Sequence, residues 1–214
     1  MEPIHTADRE PGKTLARRGL LAYLASAAAA LGLGSATSAA GQESSPTQSS
    51  HGFPTRLEDL PRLRTYRARR SSSADPSGGN ADFIAIEPGA TATIFETPGP
   101  GTVTHIWFTI ASDEAYHLKK LVLRAFWDGE NEPSVEVPVG DFFGLTLGDY
   151  FSYQSALTSV ASIKALNAYF PMPFAKSARI TITNEGKERT DSFYYNIDYI
   201  VLPELPSGLG YFHA

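Results

Sequence analysis

The sequence predicts an all-β protein with antiparallel sheets, and three observations carry that prediction. Short runs of alternating apolar and polar residues follow one another between about residue 82 and residue 202. Gly- and Pro-rich turns separate these runs. No long amphipathic helical pattern occurs after residue 40. Many short strands joined by such turns are typical of a sandwich or a barrel.

Each strand is predicted from its alternation or from its content of β-branched residues. The predicted strands are residues 82–87, 91–96, 102–111, 121–128, 134–139, 178–183 and 193–202. The clearest is 102–111, where Ile106 and Phe108 share one face, whereas His105 and Trp107 share the other. Residues 150–174 are aromatic-rich and less regular, and residues 155–166 have only weak helical character.

The first 40 residues have the pattern of an export signal. Lys13, Arg17 and Arg18 supply positive charge, residues 20–33 are apolar, and residues 38–40 are small. The adjacent arginines suggest the twin-arginine variant. We therefore expect residues 41–52 to be a flexible linker and residues 53–214 to form the β domain. We expect the protein to be exported by a bacterium, to the periplasm or to the extracellular space. After processing, it should have no stable membrane span. The alternative is an uncleaved N-terminal anchor.

Composition excludes several classes of function. The net charge is −5 and 19% of the residues are charged, which argues against a nucleic-acid partner. The basic run between Arg62 and Arg70 is predicted to be a solvated face. The chain has no cysteine, which excludes disulfides, thiolate catalysis and Cys-ligated zinc.

The segment from Trp127 to Gly144 is the most specific pattern in the chain, and reads as strand, turn, strand and an aromatic loop between Gly140 and Gly144. With other segments it resembles domain-of-unknown-function family 2961, now grouped with glycoside hydrolase family 172. The other matching segments are residues 72–82, 99–101, 105–108, 167–174, 196–199 and 211–214. The resemblance runs in order from about residue 57 to residue 214.

The resemblance implies two β jelly rolls per subunit, of which residues 53–214 would be the first, incomplete relative to the family. It implies trimers or higher oligomers, and exo-type hydrolysis or transfer on furanosides, such as fructofuranosides and arabinofuranosides, with retention through two glutamates. Those glutamates would follow the first jelly roll, beyond Ala214, so no catalytic residue is assigned here. No metal or cofactor is predicted.

The expected function is therefore that of an exported jelly-roll protein related to furanoside-acting glycoside hydrolases, without the catalytic half. Its expected partners are a furanoside-containing carbohydrate and, in a complete subunit, further copies of itself. The alternative is a non-catalytic carbohydrate-binding or oligomer-assembly module. A third possibility is a truncated product without function.

Nine residues are candidates for contacting the sugar. They are Asp75, Asn80, Asp82, Trp107, Asp141, Phe142, Phe143, Asn167 and Phe170. Aromatic rings would lie against the apolar face of a furanose, and Asp141 would accept hydrogen bonds from hydroxyls. The alternative for the rings is packing in the core or at a subunit interface. For Asp75, Asn80 and Asp82, which lie in a Gly-rich loop, the alternative is turn formation.

Two further features are predicted to be structural. The acidic residues between Asp128 and Glu136 fit solvated turn and strand charges better than a catalytic pair or a calcium site. His105 lies on a buried strand, and a lone histidine there is more often structural than a ligand or a base.

Overall fold

The computed structural model describes residue 61, residues 63–162 and residues 164–214. The predicted signal sequence and linker lie outside the described residues. Within the described part, the structure contains two four-residue helices, α1 (His117–Lys120) and α2 (Val139–Phe142). The strands are β1 (Arg67–Ser72), β2 (Ile84–Ile86), β3 (Thr91–Pro98), β4 (Gly101–Ser112), β5 (Leu121–Trp127), β6 (Val135–Pro138), β7 (Tyr153–Gln154), β8 (Thr158–Val160), β9 (Leu166–Ala168), β10 (Met172–Phe174), β11 (Ser177–Asn184) and β12 (Thr190–Val201).

The strands form two antiparallel sheets. The large sheet has the order β1-β12-β4-β9-β8-β7, with β2 also paired to β12 and β10 also paired to β4. The small sheet has the order β3-β11-β5-β6. The first and last strands of the described chain are therefore neighbours in the large sheet. The prediction of an all-β, antiparallel jelly-roll sandwich is confirmed.

Aromatic and aliphatic side chains from both sheets fill the space between them. The ring of Phe95, on β3, lies 5.0 Å from the ring of Tyr199, on β12, centroid to centroid. The ring of Phe108, on β4, lies 4.9 Å from that of Phe193. Burying one such side chain stabilises the fold by about 1.5–3 kcal/mol. The Phe95–Tyr199 contact thus joins the two sheets, whereas Phe108 and Phe193 pack neighbouring strands of the large sheet against each other.

Strand β4 follows the predicted alternation. Ile106 and Phe108 are fully buried, and Ile110 is 4% exposed. His105 and Trp107 are half-buried because they lie on the opposite face, which we call the outer face of the large sheet. The strand thus presents its apolar side chains to the core and its polar and indole groups to the outer face.

The weak helical character expected for residues 155–166 is not found. The chain instead forms β7, β8 and β9, which extend the large sheet beyond β4. The Ser155 hydroxyl accepts hydrogen bonds from the backbone N–H groups of Leu157 and Thr158, at 3.2 and 2.9 Å. This side-chain turn reverses the chain between β7 and β8 and replaces the first turn of a helix. No helix in the described residues is long and apolar enough to cross a membrane.

Gly144 closes the aromatic loop for two reasons. Its φ of +78° lies in the left-handed region, which residues with a side chain rarely adopt. A Cβ atom at this position would also clash with the hydroxyl of Tyr153. That hydroxyl donates to the Phe143 carbonyl at 2.5 Å, so the close approach ties the loop to β7.

Thr102 offers a test of the core. Its hydroxyl oxygen is completely buried and has no hydrogen-bond partner among the described residues. An unpaired buried hydroxyl costs about 1–3 kcal/mol, whereas an apolar group of the same shape does not. Thr102→Val should therefore raise the free energy of unfolding by about 1 kcal/mol, measured by urea denaturation.

Thr104→Val, two residues along the same strand, is the matched control. The Thr104 hydroxyl donates to the Asp198 carbonyl at 3.1 Å, so its replacement should not stabilise the protein. Destabilisation by Thr102→Val would mean that the buried hydroxyl is satisfied in solution.

His117 makes stability depend on pH. Its Nδ1 lies 3.2 Å from the Glu114 carbonyl oxygen, and its Nε2 lies 3.0 Å from the Tyr150 hydroxyl. Burial lowers the pKa of His117, the hydrogen bond to Glu114 opposes this, and the charge of Lys164 adds to the lowering. The unfolded chain then takes up the proton first as the pH falls, so this stabilisation is complete above about pH 6.5 and is lost on acidification. His117→Gln should flatten the decline in unfolding free energy below that pH, and an unchanged slope would contradict the assignment.

Candidate functional site

The segment Trp127–Gly144 has a structural role. Trp127 is 1% exposed, and its indole Nε1 donates to the Phe212 carbonyl at 2.8 Å. Asp128 Oδ1 accepts three backbone N–H groups of the turn that leads into β11. The donors and their distances to Oδ1 are Ala175 (2.9 Å), Lys176 (2.6 Å) and Ser177 (3.2 Å). The expectation that Asp128 is simply a solvated turn charge is therefore wrong, because its carboxylate organises a second turn.

The hydroxyl of Tyr211 completes the surroundings of Asp128, donating to Oδ2 at 2.5 Å. Burial by itself would raise the pKa of Asp128, but the hydrogen bonds from Tyr211 and the three backbone groups outweigh it and hold that pKa below its usual value. The same bond raises the pKa of the Tyr211 hydroxyl. Asp128 thus joins the C-terminal segment to the small sheet.

Two other acidic residues of this segment, Glu130 and Glu136, also have protein partners. Glu130 accepts from the Ser134 hydroxyl at 3.0 Å, and Glu136 lies 3.2 Å from the guanidinium of Arg124. Glu136 is exposed on β6, as expected for an outward-facing strand residue. These contacts explain the carboxylates without catalysis.

The candidate residues Asp141, Phe142 and Phe143, in and just after α2, have contacts within the protein. Asp141 forms an ion pair with Lys119, whose Nζ is 2.6 and 2.8 Å from its two carboxylate oxygens. Phe143 is fully buried and Phe142 is 8% exposed. A buried ring has little surface to offer a ligand, so the alternative interpretation, aromatic packing, describes Phe142 and Phe143.

Phe170 belongs to the same aromatic cluster. Its ring stacks on that of Phe212 with centroids 4.8 Å apart, and meets the ring of Phe142 edge to face at 5.2 Å. Phe170 is half-buried. The cluster packs the C-terminal segment against α2, which is a structural role.

The Gly-rich loop is held by its own acidic side chains. Asp75 Oδ1 accepts from the Ser77 backbone N–H and hydroxyl, at 2.9 and 2.6 Å, and Asp82 Oδ1 accepts from the Asp75 N–H at 2.8 Å. The Ser77 hydroxyl is the main reason why the pKa of Asp75 is lowered. Turn formation therefore accounts for both aspartates, whereas Asn80 is exposed. The loop follows β1 directly.

Trp107 and Asn167 are the two candidates that the fold brings together on an open surface. Trp107 pairs with Asn167, on β9, and on its other side with Asn196, on β12. All three are half-buried and flanked in sequence by core residues, so they share the outer face of the large sheet. We call Asn196, Trp107 and Asn167 the amide row. Within the described residues, the Trp107 indole N–H and the Asn196 amide have no hydrogen-bond partner.

A second line of side chains, which we call the charged row, consists of Arg70, Asp198 and His105. It lies beside the amide row, two residues further along each strand. Arg70 donates to both carboxylate oxygens of Asp198, at 2.6 and 3.0 Å. His105 Nδ1 lies 3.0 Å from Asp198 Oδ2, and His105 Nε2 lies 3.2 Å from the side-chain oxygen of Asn167. The ring of Tyr169 stacks on His105 with centroids 4.7 Å apart. A continuous polar network therefore crosses β1, β12, β4 and β9.

The hydrogen bonds of this network keep Asp198 ionised. Burial alone would raise the pKa of Asp198, but the hydrogen bonds from Arg70 and His105 outweigh it and lower that pKa. Asp198 is thus an anion at neutral pH and is matched by Arg70. The row thus supplies fixed hydrogen-bonding groups around this ion pair.

The small sheet has a different outer face. Arg124 links Glu136 and Glu185, at 3.2 and 2.9 Å. The guanidinium of Arg179 lies 3.9 Å above the centre of the Phe126 ring. These charged and aromatic side chains are paired with one another, which is typical of a solvated surface. The amide row, by contrast, leaves an indole N–H and an amide free for a ligand.

The sequence alone predicts part of this site. Trp107 and Asn167 were candidates, whereas His105 was assigned a structural role and Arg70 a solvated one. Asn196 and Asp198 occur in a segment that carries the family resemblance, but neither is among the nine candidates. The available signal was their alternation with Tyr195, Ile197 and Tyr199, which places both on the outer face.

The comparisons with known proteins agree with the fold. A family model described as GH172 domain-like matches residues 80–197, which is more than half of the chain and includes β2 to β11 and most of β12. The matched range contains the amide row and His105, whereas Arg70 and Asp198 of the charged row lie outside it. No curated protein gives a significant match. The chain therefore belongs to the GH172 domain-like family, a glycoside-hydrolase-related group.

Proposed function

We propose that this protein is an exported carbohydrate-binding domain of its family, and that it holds a furanoside-containing carbohydrate on the outer face of the large sheet. The observation that carries the proposal is the half-buried Trp107 indole between two asparagine amides. An indole face covers the apolar side of a sugar ring, and its N–H bonds a hydroxyl. Amides donate and accept, as hydroxyl groups require.

The proposal assigns binding, not hydrolysis, to the described residues. Retaining hydrolysis needs two carboxyl groups about 5 Å apart. The amide and charged rows contain one carboxylate, Asp198, and it is already engaged by Arg70 and His105. The carboxylates Asp128 and Glu136 have partners elsewhere. Hydrolysis would therefore need catalytic glutamates other than the residues named above.

Binding of neutral furanose oligosaccharides to the purified protein tests the proposal. Isothermal titration calorimetry with fructofuranose and arabinofuranose oligosaccharides should give saturable binding, and a polyanionic polysaccharide of similar length should not bind. The same samples should release no free sugar. Turnover abolished by Glu130→Gln or Glu136→Gln would contradict the non-catalytic assignment, and no binding of any furanose oligosaccharide would overturn the proposal.

Export is the second part of the proposal and rests on the pattern of residues 1–40. The twin-arginine pathway recognises an arginine pair, so lysine at both Arg17 and Arg18 should keep the protein in the cytoplasm. Cell fractionation of the two forms measures this. Equal export of the double variant would point to a general secretory signal instead.

An assembly role is the second candidate function. Leu147, Phe151 and Leu157 are exposed by 78%, 47% and 55% on one stretch of chain that contains β7. Exposed apolar side chains in such a group are typical of a protein interface. We propose that this stretch contributes to a homo-oligomer, a trimer or a multiple of it. Light scattering should then give a larger mass for the native protein than for Leu147→Asp/Leu157→Asp.

A further inference from the structure

The amide row continues in both directions across the large sheet. Asn196 pairs with Ser72 on β1, Asn167 pairs with Ser159 on β8, and Ser159 pairs with Gln154 on β7. Six strands therefore contribute one residue each to a single line, the extended row. In spatial order, it consists of Ser72, Asn196, Trp107, Asn167, Ser159 and Gln154.

All six side chains of the extended row lie on the outer face. Asn196 is next to Ile197, and Asn167 lies between Leu166 and Ala168, all of which are buried. Ser159 precedes the buried Val160, and Gln154 is exposed. Because successive side chains of a strand point to opposite faces, these neighbours fix the outward direction of the row.

The row has the length and chemistry of a linear ligand site. Adjacent strands are about 4.8 Å apart, so five steps between six strands span about 24 Å. That distance covers several sugar units rather than one. Every side chain in the row is uncharged, and its members offer hydroxyl, amide and indole groups in turn. Among the described residues, Trp107, Asn196, Ser159 and Gln154 form no side-chain hydrogen bond.

Aromatic side chains border the row on both sides. Tyr169 stacks on His105 in the charged row. On the other side, Tyr194 pairs with Thr109 two positions from Trp107, and its ring lies 5.6 Å from that of Phe83. Two residues along a strand advance about 7 Å, so both borders are within reach of a ligand that follows the row.

We infer that the site takes a linear, neutral furanose oligosaccharide that lies across the strands, with its middle units on Trp107 and its ends at Ser72 and Gln154. The inference rests on the proposed function and deepens it, because it assigns a chain of sugar units in place of a single terminal sugar. The Trp107 subsite supplies most of the binding, and each end of the row adds hydrogen bonds that only a long ligand reaches.

Calorimetric titration of a series from monosaccharide to hexasaccharide tests the inference. Affinity should rise with ligand length. Gln154→Ala and Ser159→Ala should each weaken hexasaccharide binding about two- to tenfold, as expected for a lost neutral hydrogen bond, and leave disaccharide binding unchanged. Asn131→Ala, an exposed amide at the β5–β6 turn of the small sheet, is the matched control and should change neither.

The results separate this inference from the proposed function. If a monosaccharide binds as tightly as a hexasaccharide and the end variants have no effect, while Trp107→Ala abolishes binding, the extended site is wrong and the carbohydrate-binding face stands. If no neutral oligosaccharide binds, both are wrong. If a hexasaccharide binds better but only Asn131→Ala weakens it, the ligand lies on the other sheet and the extended row is overturned.

Discussion

Trp107→Ala is expected to remove most of the affinity for a furanose oligosaccharide. Large aromatic side chains at the centre of a binding surface contribute about 2 kcal/mol or more, so the dissociation constant should rise about 30-fold. Trp107 has this position because it pairs with an asparagine on each side and its indole N–H is free. Since its side chain lies outside the core, the fold should remain intact. Calorimetry measures the affinity, and circular dichroism checks the fold.

Two control variants make the result specific. Trp107→Phe retains an aromatic face but lacks the indole N–H, so it should keep part of the affinity. Phe126→Ala removes an aromatic ring from the outer face of the small sheet and should leave the affinity unchanged. Equal losses for Trp107→Ala and Phe126→Ala would mean that the outer face of the large sheet is not the specific site.

Asp128→Ala is expected to cause a large loss of stability. Its carboxylate accepts three backbone N–H groups and the Tyr211 hydroxyl. Hydrogen bonds to a charged group contribute more than neutral ones, and the free energy of unfolding should fall by about 2–3 kcal/mol. For a domain of this size, the melting temperature should fall by roughly 4–12 °C. Thermal unfolding monitored by circular dichroism measures this.

Three further variants divide this effect among its causes. Asp128→Asn keeps the shape and tolerates the left-handed backbone at φ 56°, so it isolates the charge. Tyr211→Phe removes one hydrogen bond and should cost about 1 kcal/mol. Glu130→Gln, two residues away in the same turn, should cost almost nothing because its side chain is exposed. A loss for Glu130→Gln as large as that for Asp128→Ala would contradict the assigned anchor.

The strands were predictable where one face of a long strand is buried. Residues 105–110 of β4 and residues 177–180 of β11 alternate between half-buried and buried, and the sequence has the same period. Strands β7, β8 and β9 were not predicted because they are only two or three residues long. So short a segment cannot establish a period, and its strand conformation comes from pairing: β9 pairs with β4, β8 with β9, and β7 with β8.

The candidate site was harder to predict, for a physical reason. The most specific sequence motif, Trp127–Gly144, packs the core, caps a turn and closes a loop, so its residues are constrained by the fold. The site instead comes from single residues on separate strands, such as Trp107, Asn167 and Asn196. Only the strand register brings them together, and register between distant strands is not visible in local sequence.

The central claim is that Trp107 contacts the carbohydrate, and quenching of tryptophan fluorescence by acrylamide tests it most directly. The chain has two tryptophans, and Trp127 is buried at 1% exposure, so the quencher reaches mainly Trp107. A neutral furanose oligosaccharide should reduce quenching in a saturable way, and the reduction should be absent in Trp107→Phe. An oligosaccharide that binds by calorimetry yet leaves the quenching of the native protein unchanged would contradict the account.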